Sequence, residues 1–233
     1  MTLINDFLSL IYPRYCEACG ANLYKHEDLI CNQCIITLPH SNYHLSPANE
    51  INLLFAGRVP LVYALCIFNF EKSGRVQKLI HALKYQNQMG LGIWLGNYYA
   101  NLLKANSILD DVDLLIPIPL HKNKLKQRGY NQSECFAKGL SEVFERPMLN
   151  NCILRLSETS TQTKKKKFER WQNVEGVFKI NNPSILENKH VLLVDDVITT
   201  GATIDAAWQT IKDIEGIKIS VISIAFAAKN FLS

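Results

Sequence analysis

Nowhere in the 233 residues does an apolar run approach the roughly 18–20 positions that a membrane span requires, so no membrane insertion is expected. The first residues lack a basic segment, and Asn5 and Asp6 interrupt their apolar stretch, so they do not read as a secretory leader. Charge of one sign is also scarce, with a net of +4. Arg155, Lys164, Lys165, Lys166, Lys167 and Arg170, set against Glu158 and Glu169, already account for that excess. The remainder is near neutral, which argues against a broad nucleic-acid-binding face though not against a local one. A disordered composition is missing as well: 48% apolar and 20% charged residues describe a globular chain with room for one domain and a small appendage. Cysteines number seven, an odd count, and four of them fall into two closely spaced pairs. That pattern suits a reducing, cytoplasmic setting better than a disulfide framework.

What is present centres on residues 190–203. Val191 to Val194 form an unbroken apolar run rich in β-branched residues, expected as a strand buried on both faces of a parallel sheet. Asp195 and Asp196 follow at its C-terminal end, where open α/β sheets present ligand sites. Thr199, Thr200, Gly201, Ala202 and Thr203 make a small-residue turn, and Ile204, Ala207, Trp208, Ile211 and Ile214 repeat at helical spacing after it. A helix N-terminus behind such a turn suits a phosphate dianion, and Gly201 allows close backbone approach. Carboxylates would repel that phosphate, so the acidic pair fits the neighbouring hydroxyls of a ribose, or a Mg²⁺ bound to it. An acidic pair alone would read as a helix cap. Strand, pair and turn together read as a site for a phosphorylated sugar.

The two cysteine pairs are Cys16/Cys19 and Cys31/Cys34, in the pattern C-x2-C-x11-C-x2-C. Four thiolates complete the tetrahedral shell that Zn²⁺ favours, with no open position for catalysis, so a structural zinc is expected. Two disulfides or an unmetallated hairpin are the alternatives. Before the pairs, Leu3, Phe7, Leu10 and Ile11 are spaced for a short amphipathic helix over residues 2–12. Domain bounds follow: 1–48 for this helix and the four-cysteine module, 49–60 for a linker, and 61–233 for the main domain.

Within that domain, residues 61–70 read as a strand and 73–86 as a helix ending at Lys84-Tyr85. Lys84 by itself has an ordinary helix-dipole explanation. Gly90, Gly92 and Gly96 miss the dinucleotide fingerprint by one position and lack a preceding strand, so a close-packed helix is expected. Residues 112–116 read as a strand. A basic loop then gathers His121, Lys122, Lys124, Lys126 and Arg128 at the strand's end, ahead of a helix carrying Phe136, Leu140, Val143 and Phe144. Residues 217–227 supply a last strand.

Residues 191–203 resemble the phosphoribosyl pyrophosphate (PRPP) motif of type I phosphoribosyltransferases. With the cysteine module and Arg128-Gly129-Tyr130-Asn131-Gln132, the whole chain resembles the ComF family, linked to competence and DNA uptake. The resemblance implies an α/β, type I phosphoribosyltransferase fold, a mostly parallel sheet flanked by helices, with a small N-terminal zinc-ribbon module. It implies that Asp195, Asp196, Thr199, Thr200, Gly201, Ala202 and Thr203 bind PRPP together with Mg²⁺. Leu83-Lys84-Tyr85 matches a family signature that takes Lys84 to an anionic group. Pro117-Ile118-Pro119-Leu120-His121 and the Arg-Gly-Tyr-Asn-Gln run match a segment that implies pyrophosphate contacts from His121, Lys122 and Arg128. Gln162 and Arg170 match the family's flexible segment, although Lys164 to Lys167 stand where relatives commonly carry an apolar residue. The implied activity is Mg²⁺-dependent phosphoribosyl transfer. No residue names the acceptor, and none is an obvious nucleophile or general base, so no catalytic residue is assigned. A rival reading is a non-catalytic PRPP-binding or DNA-processing partner working through protein or single-stranded DNA contacts.

Overall fold

In the computed structural model, residues 13–46, 48–156 and 176–227 are described. In chain order they form α1 (Asn32–Thr37), α2 (Glu50–Phe55), β1 (Leu61–Asn69), α3 (Arg75–Tyr85), α4 (Met89–Lys104), β2 (Leu114–Pro117), α5 (Lys122–Arg128), α6 (Gln132–Phe144), β3 (Ile153–Arg155), β4 (Phe178–Ile180), β5 (His190–Ile198), α7 (Ala202–Ile211) and β6 (Lys218–Phe226). Four strands pair in the order β1-β6-β5-β2, every pair parallel. β3 and β4 form a separate antiparallel pair.

The unbroken apolar run of β5 is explained by its two neighbours and two faces. Leu192 and Val194 join the apolar layer beneath α3, α4 and α6, while Val191 and Leu193 join the layer beneath α2 and α7. A strand covered on both sides has no polar face to show. The alternation then slips: Val197 lies on the same side as Val194, three positions earlier. That irregularity falls on Asp195 and Asp196. The acidic pair therefore sits inside the last turn of pleat, not in a loop after the strand, since β5 runs on to Ile198.

Several expectations change. The stretch expected as a linker, 49–60, contains α2, capped by Asn49, whose side-chain oxygen accepts from the N–H groups of Ile51 and Asn52. Ile51 and Phe55 on that helix are buried in the core. Turn-forming residues around it masked a helix too short to show a full amphipathic stripe. The basic loop is largely helical: His121 caps α5 through its ring, and Gly129, at φ +79°, ends it. The helix after residue 203 stops at Ile211, and Ile214 packs onto the core from the turn beyond. The helix expected over residues 2–12 lies outside the described residues, as do Gln162, Lys164 to Lys167 and Arg170.

At the sheet end opposite the acidic pair, His190 Nδ1 lies 3.0 Å from Asp111 and Nε2 2.7 Å from Ser220 Oγ. This connectivity matches a hydrolytic triad. Ser220 is fully buried, however, and its oxygen accepts the Tyr63 N–H at 3.0 Å, so the group ties β1, β5 and β6 together.

The glycines of α4 show why that segment is helical and not a nucleotide loop. A Cβ on Gly96 would overlap the Phe136 carbonyl oxygen and stand 2.9 Å from Gly139 Cα, and one on Gly139 would overlap the Ile93 carbonyl. The backbones of α4 and α6 touch there. Gly139→Ala should therefore destabilise the chain by about 2–3 kcal/mol or more, because neither backbone has a side chain to move aside. A urea midpoint within error of wild type would contradict this packing.

Candidate functional site

The site forms where β5 ends against α3, α6 and the turn into α7. Asp195 is half-buried, and its Oδ1 accepts from the Asp196 N–H at 2.8 Å and from Ser133 Oγ at 3.3 Å. Asp196 Oδ2 lies 3.0 Å from Lys84 Nζ. Burial first, and then the charge of Asp196, push the Asp195 carboxyl up to about 7, with Lys84 and the two donors acting in the opposite direction.

Beyond Ile198 the turn exposes Thr199, Thr200 and Ala202, while Gly201 is buried at φ +77°. The Ala202 N–H points at Thr200 Oγ1, 3.5 Å away. Gly201 has two reasons to be glycine: its positive φ, and the Phe55 ring, only 2.7 Å from where a Cβ would stand. Next to Phe55, Arg58 pairs with Asp205 in the first turn of α7 and lies over the Phe55 ring at 5.6 Å. Residues 49–58 thus form the floor of the turn. The cap signal at Asn49 ahead of Ile51, Leu54 and Phe55 was the clue to it.

The Arg-Gly-Tyr-Asn-Gln run brackets the site from the other side. Tyr130 donates its hydroxyl to the Leu83 carbonyl at the end of α3. Asn131 caps α6 and donates to the Ile118 carbonyl at 2.9 Å, which places Ser133 against Asp195. Arg128 Nη1 donates to Gln132 Oε1 at 2.7 Å, and its guanidinium lies 5.5 Å from the Tyr85 ring centre, while its buried Nε has no partner among the described residues. Lys84 and Arg128 are therefore brought to the acidic pair's side of the molecule. His121 spends its Nδ1 on the α5 cap, accepting from Asn123 N–H at 3.2 Å, and Lys122 is exposed on that helix. Ser133, 62 positions from Asp195, was missed by sequence reasoning, and no local signal marks it.

A cleft of about 340 Å³ opens at this point, lined by Phe70, His81, Lys84, Tyr85, Val197 and Thr199 among others. A larger one, about 520 Å³, lies between the Cys16–Gly20 turn and the exposed side of α3. The smaller cleft is the one that the expected site residues reach, through Lys84 and Thr199.

The four cysteines of the module are the other candidate centre. Their sulfurs all lie within 4.8 Å of one another, and Cys19 and Cys31 are 3.8 Å apart. A tetrahedron with Zn–S bonds of about 2.3 Å has edges of about 3.8 Å, so the set fits a zinc ion. All seven cysteines are free thiols, which sets aside the disulfide alternative. Burial would raise the Cys16 thiol, but the N–H groups of Cys31, Cys19 and Ala18 outweigh it and bring the thiol to about 7. Arg75 at the start of α3 reaches Cys34 Sγ at 3.5 Å and Thr37 Oγ1 at 2.8 Å, and Gln88 donates to Glu17 at 2.9 Å. The start of α3 and the turn between α3 and α4 are thereby fastened to the module.

The raised Asp195 carboxyl has a consequence for stability. Its folded value of about 7 lies above the ordinary carboxylate value of about 3.9, so the native state holds the proton more tightly than the unfolded chain. The stability this contributes is complete below about pH 4, declines as pH rises and is gone above about 7. Asp195→Asn keeps the acceptor oxygen and cannot ionise. It should melt about 2–4 °C above wild type at pH 8, as about 1 kcal/mol would produce in a chain of this size, and close to wild type at pH 4. A lower melting temperature at pH 8 would show that the carboxylate is not under strain.

The profile of the phosphoribosyl transferase domain matches residues 136–231, which run from α6 through β6. Competence protein F of Haemophilus influenzae is 32% identical over 157 residues, covering 64% of this chain and 67% of that protein. DNA utilization protein YhgH of Shigella flexneri is 25% identical over 200 residues, covering 84% and 83%. A purine phosphoribosyltransferase from Pyrococcus horikoshii aligns in three dimensions with a TM-score of 0.32 and 18% identity, over 65% of this chain and 72% of that one. The domain match and the parallel sheet with helices on both faces make the fold that of type I phosphoribosyltransferases. By its identity across two thirds of competence protein F, the chain belongs to the ComF family.

Proposed function

We propose that the protein binds PRPP at the end of β5 and transfers its phosphoribosyl group, in a process of DNA uptake or use. The observation that carries this reading is the ion pair of Asp196, beside Asp195, with Lys84, which lines one cleft together with Thr199 at the start of the threonine-glycine turn. The turn at the start of α7 takes the 5-phosphate on its free N–H groups and hydroxyls. Asp195 and Asp196 accept from the ribose hydroxyls, and Lys84 and Arg128 face the pyrophosphate as it leaves. Carboxylates are hard oxygen ligands, so the same pair fits a Mg²⁺ ion, which when bound supplies further neutralisation of the leaving group. His121, Lys122, Gln162 and Arg170 remain proposed pyrophosphate contacts. Rate enhancement would come from positioning and charge, since no described side chain at the site is poised as a nucleophile. The competence and DNA-use names of the relatives support the cellular setting.

One feature favours the partner reading beside this one. The cysteine module exposes two large side chains, Tyr24 at 72% and Ile36 at 77%. The module, folded around structural Zn²⁺, would dock a protein of the DNA-handling machinery. Single-turnover release of pyrophosphate from PRPP separates the enzyme from a protein that only binds.

Two outcomes are expected. PRPP with Mg²⁺ should bind and, at a hundredfold excess over its Kd, add about 2.7 kcal/mol of stability, visible as a raised melting temperature. Asp195→Asn combined with Asp196→Asn should abolish that gain while the unliganded chain stays folded, and unchanged calorimetric affinity would refute the site. Elemental analysis of chain purified without chelator should find one Zn²⁺, and Cys34→Ser should lose the ion and lower the melting temperature. Metal-free protein of full stability would refute the zinc centre.

A further inference from the structure

The ion pair of Lys84 and Asp196 stands where a ligand has to enter. Among the described residues Lys84 is the one cation paired with either carboxylate of the site. Its side chain is 21% exposed and that of Asp196 15%, so the contact is partly shielded from water and holds the acidic pair together when nothing else is bound. Two neighbouring carboxylates repel, and Asp195 already spends one oxygen on two donors.

Lys84 belongs to the last turn of α3, and it lines the cleft that also contains Thr199. Its ammonium thus has the carboxylate on one side and the open cleft on the other. An ammonium is a compact point charge on a flexible stem, without the planar fork that would fix an arginine on its partner. α3 itself does not have to move. Val76, Leu79, Ile80, Ala82 and Leu83 are buried, and the Leu83 carbonyl is held by Tyr130. Only the side chain is free to choose. A diphosphate carrying several negative charges is a stronger partner for it than one carboxylate, and Asp196 is then released to accept from a ribose hydroxyl or to hold a divalent cation.

We propose that Lys84 is a displaceable counter-ion, which holds Asp196 while the site is empty and passes to the diphosphate when PRPP enters. The hand-over rests on the PRPP reading above. It makes the lysine and a divalent cation competitors for Asp196 in the empty site and allies once PRPP is present. The free protein therefore binds the metal poorly by itself and takes it up with the substrate.

The test uses the full chain, with Mn²⁺ alone as probe in one arm and PRPP with Mg²⁺ in the other. Lys84→Met should bind Mn²⁺ about tenfold more tightly than wild type, about 1.4 kcal/mol. Lys84→Arg, which keeps the cation and holds the carboxylate more firmly, should bind Mn²⁺ no more tightly than wild type, and adding Asp196→Asn to Lys84→Met should cancel the gain. The same Lys84→Met should bind PRPP with Mg²⁺ at least about tenfold more weakly. Melting curves of all variants exclude a folding defect as the cause. Mn²⁺ affinity that is unchanged or weaker in a folded Lys84→Met would overturn the proposal and make Lys84 a fixed support of Asp196. Wild-type chain that binds no PRPP would instead overturn the functional reading and the hand-over with it, so the two failures are told apart by which arm fails.

Discussion

Everything at the site follows from setting two carboxylates on the end of a strand buried on both faces. The strand is needed for rigidity, but its surroundings are a poor place for charge, and burial, with the charge of Asp196 after it, drives the Asp195 carboxyl upward. The rest of the local structure offsets that cost. α6 begins where its second residue can donate to Asp195, and Asn131 exists there to begin it. α3 ends where Lys84 reaches Asp196, and the Tyr130 hydroxyl holds that end in place. Residues that look like a binding signature in the sequence, Tyr130, Asn131 and Gln132, are almost wholly buried and act as the frame. Arg128 and Lys84 are what the frame presents.

Those parts of the fold that were legible in the sequence were the ones written in local pattern. The run from Val191 to Val194, the acidic pair and the Thr/Gly turn announced strand, site and helix because each depends on near neighbours. The cysteine pairs did so too, since a metal-sized cluster needs only four residues at set spacing. α2 escaped notice because Ile51 and Phe55 give it a single apolar contact line amid turn formers, although Asn49 signalled its start. The basic segment hid a helix because its lysines face water on every side and leave no apolar stripe to read. The β3–β4 pair joins three-residue strands separated by a long insertion, which no periodicity can show. Ser133 and Asp195 meet only through the packing of α6 on the sheet.

The cysteine module and the sugar site are linked by one helix. Arg75 at its start touches Cys34, Gln88 just past its end holds Glu17, and Lys84 in its last turn meets Asp196. The module is therefore not a free appendage on a tether. The module lies along α3, with a larger cleft between them, and the same helix reaches the acidic pair through its last turn.

The strand order carries a consequence for how the chain comes into being. β6, the last of the described strands, lies between β1 and β5, so the first strand made has no sheet partner until residues 218–226 arrive. During synthesis the cysteine module and α3 can join early, since Arg75 and its partners in the module lie about 40 positions apart, whereas the full sheet must wait for residues 218–226. Until then β1 and β5 each keep an open edge, at the stage when a nascent chain is most exposed to mispairing. Loss of the final strand would not trim an edge. It would cut the sheet in two and leave β5, with both carboxylates, resting on β2 alone.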